Sequence, residues 1–348
     1  MTRKFAIILM LVTVLTSCSK NIESLNVDVK NPSTVPSYLL FTSSQKKLVD
    51  LLTTPNVNSN VLRLVTQQWQ ETTYTDESNY DFQTRPIPDR IWNWFYRDVL
   101  RDLKEAKKLI PVDVADANVQ KNQIAITDIM EVLTWYYLAT TYGDVPYSQA
   151  LNVDNFFPKY DDDAAVFDDL LTRLDADIAA LNTGAASFGT SDLIYGGAVG
   201  SWKKFANSLK LIMALTIADV NSTKAKAAAE SAVASGVFTS NTDNAVLNYF
   251  SSPPNTNPIW EDQIQAGRTD FVAAKTITDI MNAQNDPRIG IYFTVDVNGL
   301  YSGGDVGSTS SFDKFSKPVY QKVGDAGPAS TILGTATAPA LILDHAEV

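Results

Sequence analysis

Cysteine and histidine are nearly missing from this chain: its 348 residues hold one of each, Cys18 and His345. A lone thiol cannot close an intrachain disulfide in any compartment. A single imidazole near the C-terminus removes His-rich metal sites and the H-E-x-x-H arrangement. The motifs G-x-S-x-G, G-x-x-x-x-G-K-[ST] and G-x-G-x-x-G are also absent, so nucleotide chemistry and the common form of serine hydrolysis lack their signatures. Basic residues are few, 28 Lys and Arg against 39 Asp and Glu for a net charge of −11, which disfavours nucleic acid or any other polyanion as partner. Outside the N-terminus no apolar run approaches the length of a membrane span.

What is present begins at that N-terminus. Arg3 and Lys4 precede an apolar run from Phe5 to Leu15, interrupted only by Thr13 and too short to cross a bilayer, and small residues follow. This is the build of a secretory signal peptide. Leu15-Thr16-Ser17-Cys18 resembles the lipobox of bacterial lipoproteins, in which the cysteine becomes the acylated first residue, so Cys18 is read as a lipid attachment point. Removing residues 1–17 leaves 26 basic and 39 acidic residues and a net charge of −13. The expected product is a water-soluble body, residues 18–348, held to a membrane by its lipid.

Along that body the dominant signal is apolar spacing of three and four. Ile126, Met130, Leu133 and Tyr137 make one stripe; Val166, Leu170, Leu174, Ile178 and Leu181 a second; Trp202, Phe205, Leu209 and Ile212 a third. These predict amphipathic helices. The acids Asp161 to Asp163 are placed to cap the second, Gly143 to stop the first, and Gly236 to stop the alanine-rich KAKAAAESAVAS. Further helices are expected at 37–53, 59–70, 88–109 and 271–284. Long Pro-, Asn-, Gly- and Ser-rich stretches lie between helices, at 71–90, 143–160, 183–198, 250–270 and 296–330, and long ordered loops are where function concentrates. Asp296 and Asn298 start like a calcium loop, but Tyr301 stands where the loop needs glycine. Glu71, Asp76, Glu77 and Glu261 are available for a glycosidase-like carboxylate pair, although solvated loop charges are the simpler reading. Nothing calls for a cofactor or a metal.

Three segments in order, TWYYLATTYGDVPYSQAL (134–151), FPKYDDDAAVFDDLLTRLDADI (157–178) and DLIYGGAVGSWKKFANSLKLIMAL (192–215), resemble the core of the SusD/RagB outer-membrane lipoprotein family. QQWQETTYTDESNY (67–80), WNWFYRDVLRDL (92–103), GRTDFV (267–272) and NDPRIGIYF (285–293) extend the likeness. The resemblance implies a mostly helical, all-α fold of tetratricopeptide-like helix pairs with long ligand-binding loops. It further implies a non-enzymatic, surface-exposed outer-membrane lipoprotein that caps a SusC-like TonB-dependent transporter. The ligand would be an oligosaccharide, or a peptide in the RagB branch; a secreted carbohydrate-active enzyme is the alternative from another class. Lys20 and Glu23 partly fit the short export signal of surface lipoproteins.

Sugar rings stack on aromatic faces, and their hydroxyls need polar side chains at the edge. The ligand candidates are therefore loop aromatics with polar neighbours: Tyr74, Tyr80 and Phe82 with Arg85, and Trp260 with Asn257 and Arg268, with Tyr249 nearby. Trp69 reads equally as core or platform, while Trp92, Trp135, Trp202 and Phe205 read as core. The final stretch, ATAPALILDHAEV (336–348), resembles the start of a family helix that is normally followed by a large C-terminal portion. The expectation is that 338–348, with Ala340, Leu341, Leu343 and Ala346 on a packing face, is weakly packed in the absence of that portion.

Overall fold

The computed structural model describes residues 34–319 and 335–348. The signal segment 1–17, Cys18, Lys20 and Glu23 lie outside the described residues. The chain divides into two units, Met1–Pro36 and Ser37–Val348, and every helix and strand named below belongs to the second. Helix α1 spans Ser37–Thr53, and a short α2, Leu62–Val65, leads into strand β1, Trp69–Glu71. Helix α3 (Ile87–Asn93) runs through a π-helical stretch, Trp94–Leu100, into α4 (Arg101–Asp113). Then come α5 (Ala117–Tyr142), α6 (Asp163–Ala180), α7 (Val199–Thr216) and α8 (Ser222–Ser235). Strand β2 (Ala245–Leu247), the single turn α9 (Pro258–Trp260), β3 (Phe271–Ala273), α10 (Lys275–Ala283), α11 (Ile289–Tyr292) and β4 (Ala340–Leu343) complete the order. No helix of the described residues is long and apolar enough to cross a membrane.

Helices α5, α6 and α8 begin where side-chain caps stand. Asp116 accepts from the amides of Asn118 and Val119 at the start of α5, Asp162 from Ala165 at α6, and Asn221 from Lys224 at α8, each satisfying amides that the first helical turn leaves open. Gly143, at φ 74°, closes α5. From α4 to α8 each helix packs on the next, and α1 lies against α4, so the apolar stripes fuse into one core. Phe41, Ile126, Met130, Leu170, Leu174, Trp202 and Phe205 are fully buried in it. Trp92 is half-buried and packs tilted against Tyr96 and edge to face on Tyr142, consistent with a packing role.

Polar hubs pin this scaffold. Asp192, buried before α7, accepts hydrogen bonds from Trp202 Nε1 at 2.7 Å, Gln45 Nε2 at 2.9 Å and the Gly197 amide at 2.9 Å. The loop reaches this geometry only because residue 197 is glycine: its φ is +84°, and a Cβ there would meet the Gly189 nitrogen at 2.5 Å. Between α4, α5 and α6, Lys107 donates to Asp128 at 2.5 Å and to Glu131 at 2.7 Å. Arg173 grips Asp128 with two nitrogens and reaches Glu131 at 2.7 Å. Burial and the adjacent Asp128 push Asp177 up to about 9, so it holds a proton at neutral pH.

Three expected elements differ. The 59–70 helix lasts only one turn, because Gln67 adopts φ 55° and the chain extends into β1. The 271–284 helix begins as strand: Phe271–Ala273 pairs antiparallel with β1, in the register Trp69 with Ala273 and Glu71 with Phe271. The chain end is a strand rather than a helix. Ala340–Leu343 pairs with β2, and Ala340, Ile342 and Leu343 are buried in the main core while Leu341 faces out; the alternation of a strand breaks at Ile342–Leu343, where a bulge leaves one extra residue between the Leu341 and Leu343 pairs. The expectation of weak packing at residues 340–343 is corrected accordingly.

Candidate ligand-binding site

The β1–β3 ladder brings two loops together that lie about two hundred residues apart. Beyond its end the Thr72 amide donates to Asp270 O at 2.8 Å, and the Thr72 hydroxyl to Thr269 O at 2.8 Å. The segment after β1 is thereby stitched to the segment before β3. A third segment locks both: buried Gln70 accepts from the Gly307 amide and donates to Ser308 O, while Asn79 Nδ2 donates to Gly307 O.

Within this frame the backbone presents Tyr74 in an uncommon way. Its φ is 55°, in the left-handed region that aromatic residues rarely occupy, and its side chain is 81% exposed. Tyr74 borders a recess of about 120 Å³ lined also by Asn56, Asn58, Glu71, Arg85, Asp262, Arg268 and Asp270. Asn58 and Arg85 line in turn a larger neighbouring recess of about 600 Å³, with Asp89, Arg90, Asn93, Trp94 and Arg97 along the α3 side. The two recesses thus share a wall, and Arg85 is in it.

Electrostatics hold Arg85 in place. It pairs with Glu77, which is fully buried, and lies 3.7 Å from Asp76. Glu71 accepts from the Ser78 amide at 3.1 Å and the Ser78 hydroxyl at 2.8 Å. Burial, with a lesser contribution from adjacent Glu77, raises the Glu71 carboxyl to about 7. Of the four carboxylates weighed for a hydrolytic pair, Glu71 and Glu77 are buried neighbours that brace a turn and a cation, Asp76 lies beside the same Arg85, and Glu261 accepts from the Thr256 hydroxyl. Arg268 donates to Asp270 at 2.5 Å and lies 3.9 Å from Asp262, which fixes the opposite rim.

Of the residues singled out from sequence, Tyr74, Arg85 and Arg268 meet at one recess. The other ligand candidates do not line either recess. Tyr80, also left-handed at φ 61°, is half exposed, packs edge to face on Phe82 at 6.3 Å, and spends its hydroxyl on Val65 O at 3.2 Å. Asn257 is fully buried: its oxygen caps α9 through the Ile259 and Trp260 amides, and its nitrogen donates to Ala338 O at 2.9 Å. Asn257 is a structural cap with no polar atom left for a ligand, and Trp260 is half-buried on the turn it caps. Tyr249 is buried with its hydroxyl on Asp50. Trp69 sits half-buried in β1, with Arg63 5.1 Å over its ring and Phe271 against it. Sequence reasoning missed Asn58, Trp94 and Arg97. Asn58 lies in the TTPNVNSN stretch (53–60), a loop by composition between the helices expected at 37–53 and 59–70, and this stretch is not among the long loops in which function is expected.

A family profile described as "starch-binding associating with outer membrane", SusD-like, matches residues 29–348. Solved structures share the fold. A chitin-binding protein is 22% identical over 89% of this chain and 68% of its own length, with a TM-score of 0.73. A chitin-binding SusD homolog from Flavobacterium johnsoniae is 22% identical over 88% of this chain and 63% of its own, TM-score 0.69. A SusD homolog from Bacteroides uniformis is 26% identical over 89% and 64%, TM-score 0.66. The chain thus spans about two thirds of the length of these structures. Comparison with curated protein sequences returned no match. The profile describes binding proteins rather than catalysts, and it is matched from residue 29 through the last residue; the chain belongs to this SusD-like family of starch-binding proteins associated with the outer membrane.

Proposed function

We propose that the paired recesses around Arg85 bind an oligosaccharide, and that the protein, anchored by a lipid on Cys18 at the cell exterior, passes it to a SusC-like TonB-dependent transporter. The observation that carries this reading is the meeting of Tyr74, Arg85 and Arg268 at one opening. An exposed ring held on a strained backbone offers a face for a sugar's C–H surface, and two fixed guanidinium groups offer donors for its hydroxyls. The combined recess reaches the ~300–1,000 Å³ typical of small-molecule sites. The chitin-binding descriptions of two relatives make β-linked N-acetylglucosamine oligomers the first ligands to test, beside the α-linked glucose oligomers named by the family. A RagB-type peptide ligand is the second reading, supported by the arginines of the larger recess, Arg85, Arg90 and Arg97.

A glycan array carrying both oligomer classes, with peptides included, tests the class. On the ligand it identifies, Tyr74→Ala is expected to weaken binding by about 0.5–3 kcal/mol while helical content stays unchanged, as loss of one stacking contact requires. Unchanged titration of the Tyr74→Ala and Arg268→Ala proteins would place the ligand elsewhere.

A further inference from the structure

A third recess, of about 310 Å³, opens on the helical scaffold between α4, α5, α6 and the 147–151 loop, and shares no lining residue with the loop face. We propose that it is a second binding site, for a neutral sugar ring. Glu131, only 6% exposed, lines it. Its Oε2 accepts from Lys107 and Arg173, whereas its Oε1 accepts no hydrogen bond among the described residues. A buried acceptor without a donor is costly, and a ligand hydroxyl supplies that donor. The walls suit the rest of such a ring. Tyr147, half-buried, stands edge to face on Trp135 at 4.9 Å, and its hydroxyl is fixed between Arg173 at 2.9 Å and Asp169.

Charge selects a neutral occupant. The lining carries three cations, Lys104, Lys107 and Arg173, and three carboxylates, Asp128, Glu131 and Asp169, with Lys107 and Arg173 paired to Asp128 and Glu131, so neither an anion nor a cation gains from entering. At the rim Lys104 is turned away, donating to Leu151 O at 2.9 Å. The volume lies at the small end of the ~300–1,000 Å³ range of ligand sites and far exceeds the ~30 Å³ share of one water. One ring of an oligosaccharide is the unit that fits.

The test is saturation-transfer NMR with free glucose and N-acetylglucosamine, on the full chain in a detergent without a sugar headgroup. A Tyr74→Ala/Arg85→Ala background removes the loop face. This background is expected to keep a transfer signal, and adding Ala150→Trp, which fills the rim without touching the ion network, is expected to cut it at least fivefold. As a second variant, Ala150→Cys is blocked after folding with benzyl methanethiosulfonate; the signal is expected to fall and to return on reduction. Complete loss of signal in the loop-face background, or a signal indifferent to both rim changes, overturns the second site. Failure of the loop-face reading looks different: wild type and background would give equal signals.

Discussion

Asp192 concentrates at one carboxylate the constraints that hold three parts of the scaffold: Gln45 of α1, Trp202 of α7 and the glycine turn between them all donate to it. Hydrogen bonds to a charged group contribute about 1.5–3 kcal/mol each, and orphaned buried donors add to the loss. Asp192→Ala is therefore expected to lower unfolding free energy by about 3 kcal/mol or more, read by urea denaturation. Asp177 acts in the opposite sense. The unfolded carboxyl titrates near ~3.9, while burial and Asp128 raise the folded one to about 9, so unfolding between those values releases a proton. The stability it provides is complete below ~3.9 and is lost as pH climbs toward about 9. Asp177→Asn keeps a donor toward Asp128 without the titration. Its thermal midpoint is expected to gain on the wild type at pH 8 relative to pH 5, and parallel pH profiles would show that Asp177 does not titrate in this way. At the proposed ligand face, Tyr74 and Arg85 could be picked out as a loop aromatic and a charge close in sequence, and the structure brings both to one recess. Asn257 misled, since a helix cap and a sugar contact use the same residue type and differ only in burial.

Among the elements, the long helices were legible and the three- and four-residue strands were not. Helix α1 falls at its expected bounds, α5 to α7 follow their stripes and α8 its alanine-rich run, because each runs at least fourteen residues, long enough to display a helical pattern. Strands β1 and β3 are three residues each. Too short to display a period of their own, they were absorbed into neighbouring helical patterns. The same holds for Ala340–Leu343, where the apolar run ALIL suits a helix or a strand until its partner, β2, is known. Yet the short ladder positions the site. The bonds Thr72 N to Asp270 O and Ala274 N to Gln68 O flank the Gln70–Val272 pair, which places the Val272 amide in the ladder. Val272→Pro removes that donor. Circular dichroism is expected to show an intact helical signal beside ligand binding reduced at least tenfold, and full binding with the ladder cut would detach the site from this element.

For the whole molecule, the proposed attachment is the lipid on Cys18, and no helix of the described residues is long and apolar enough to cross a membrane. Cys18→Ala is expected to move the protein from the membrane to the soluble fraction on cell fractionation; retention at the membrane would demand a different anchor. The architecture also fixes an order of assembly. Trp69 and Ala273 are joined by a ladder of three residue pairs, and the span they enclose contains the whole run from α3 to α8. Closing so long a loop for so few bonds is entropically unrewarding until the intervening chain has already become compact. The proposed binding face is thus a late product of folding, so that ligand competence would report on the finished state of the scaffold beneath it: a chain whose helices had formed but whose ladder had not closed would lack the recess altogether.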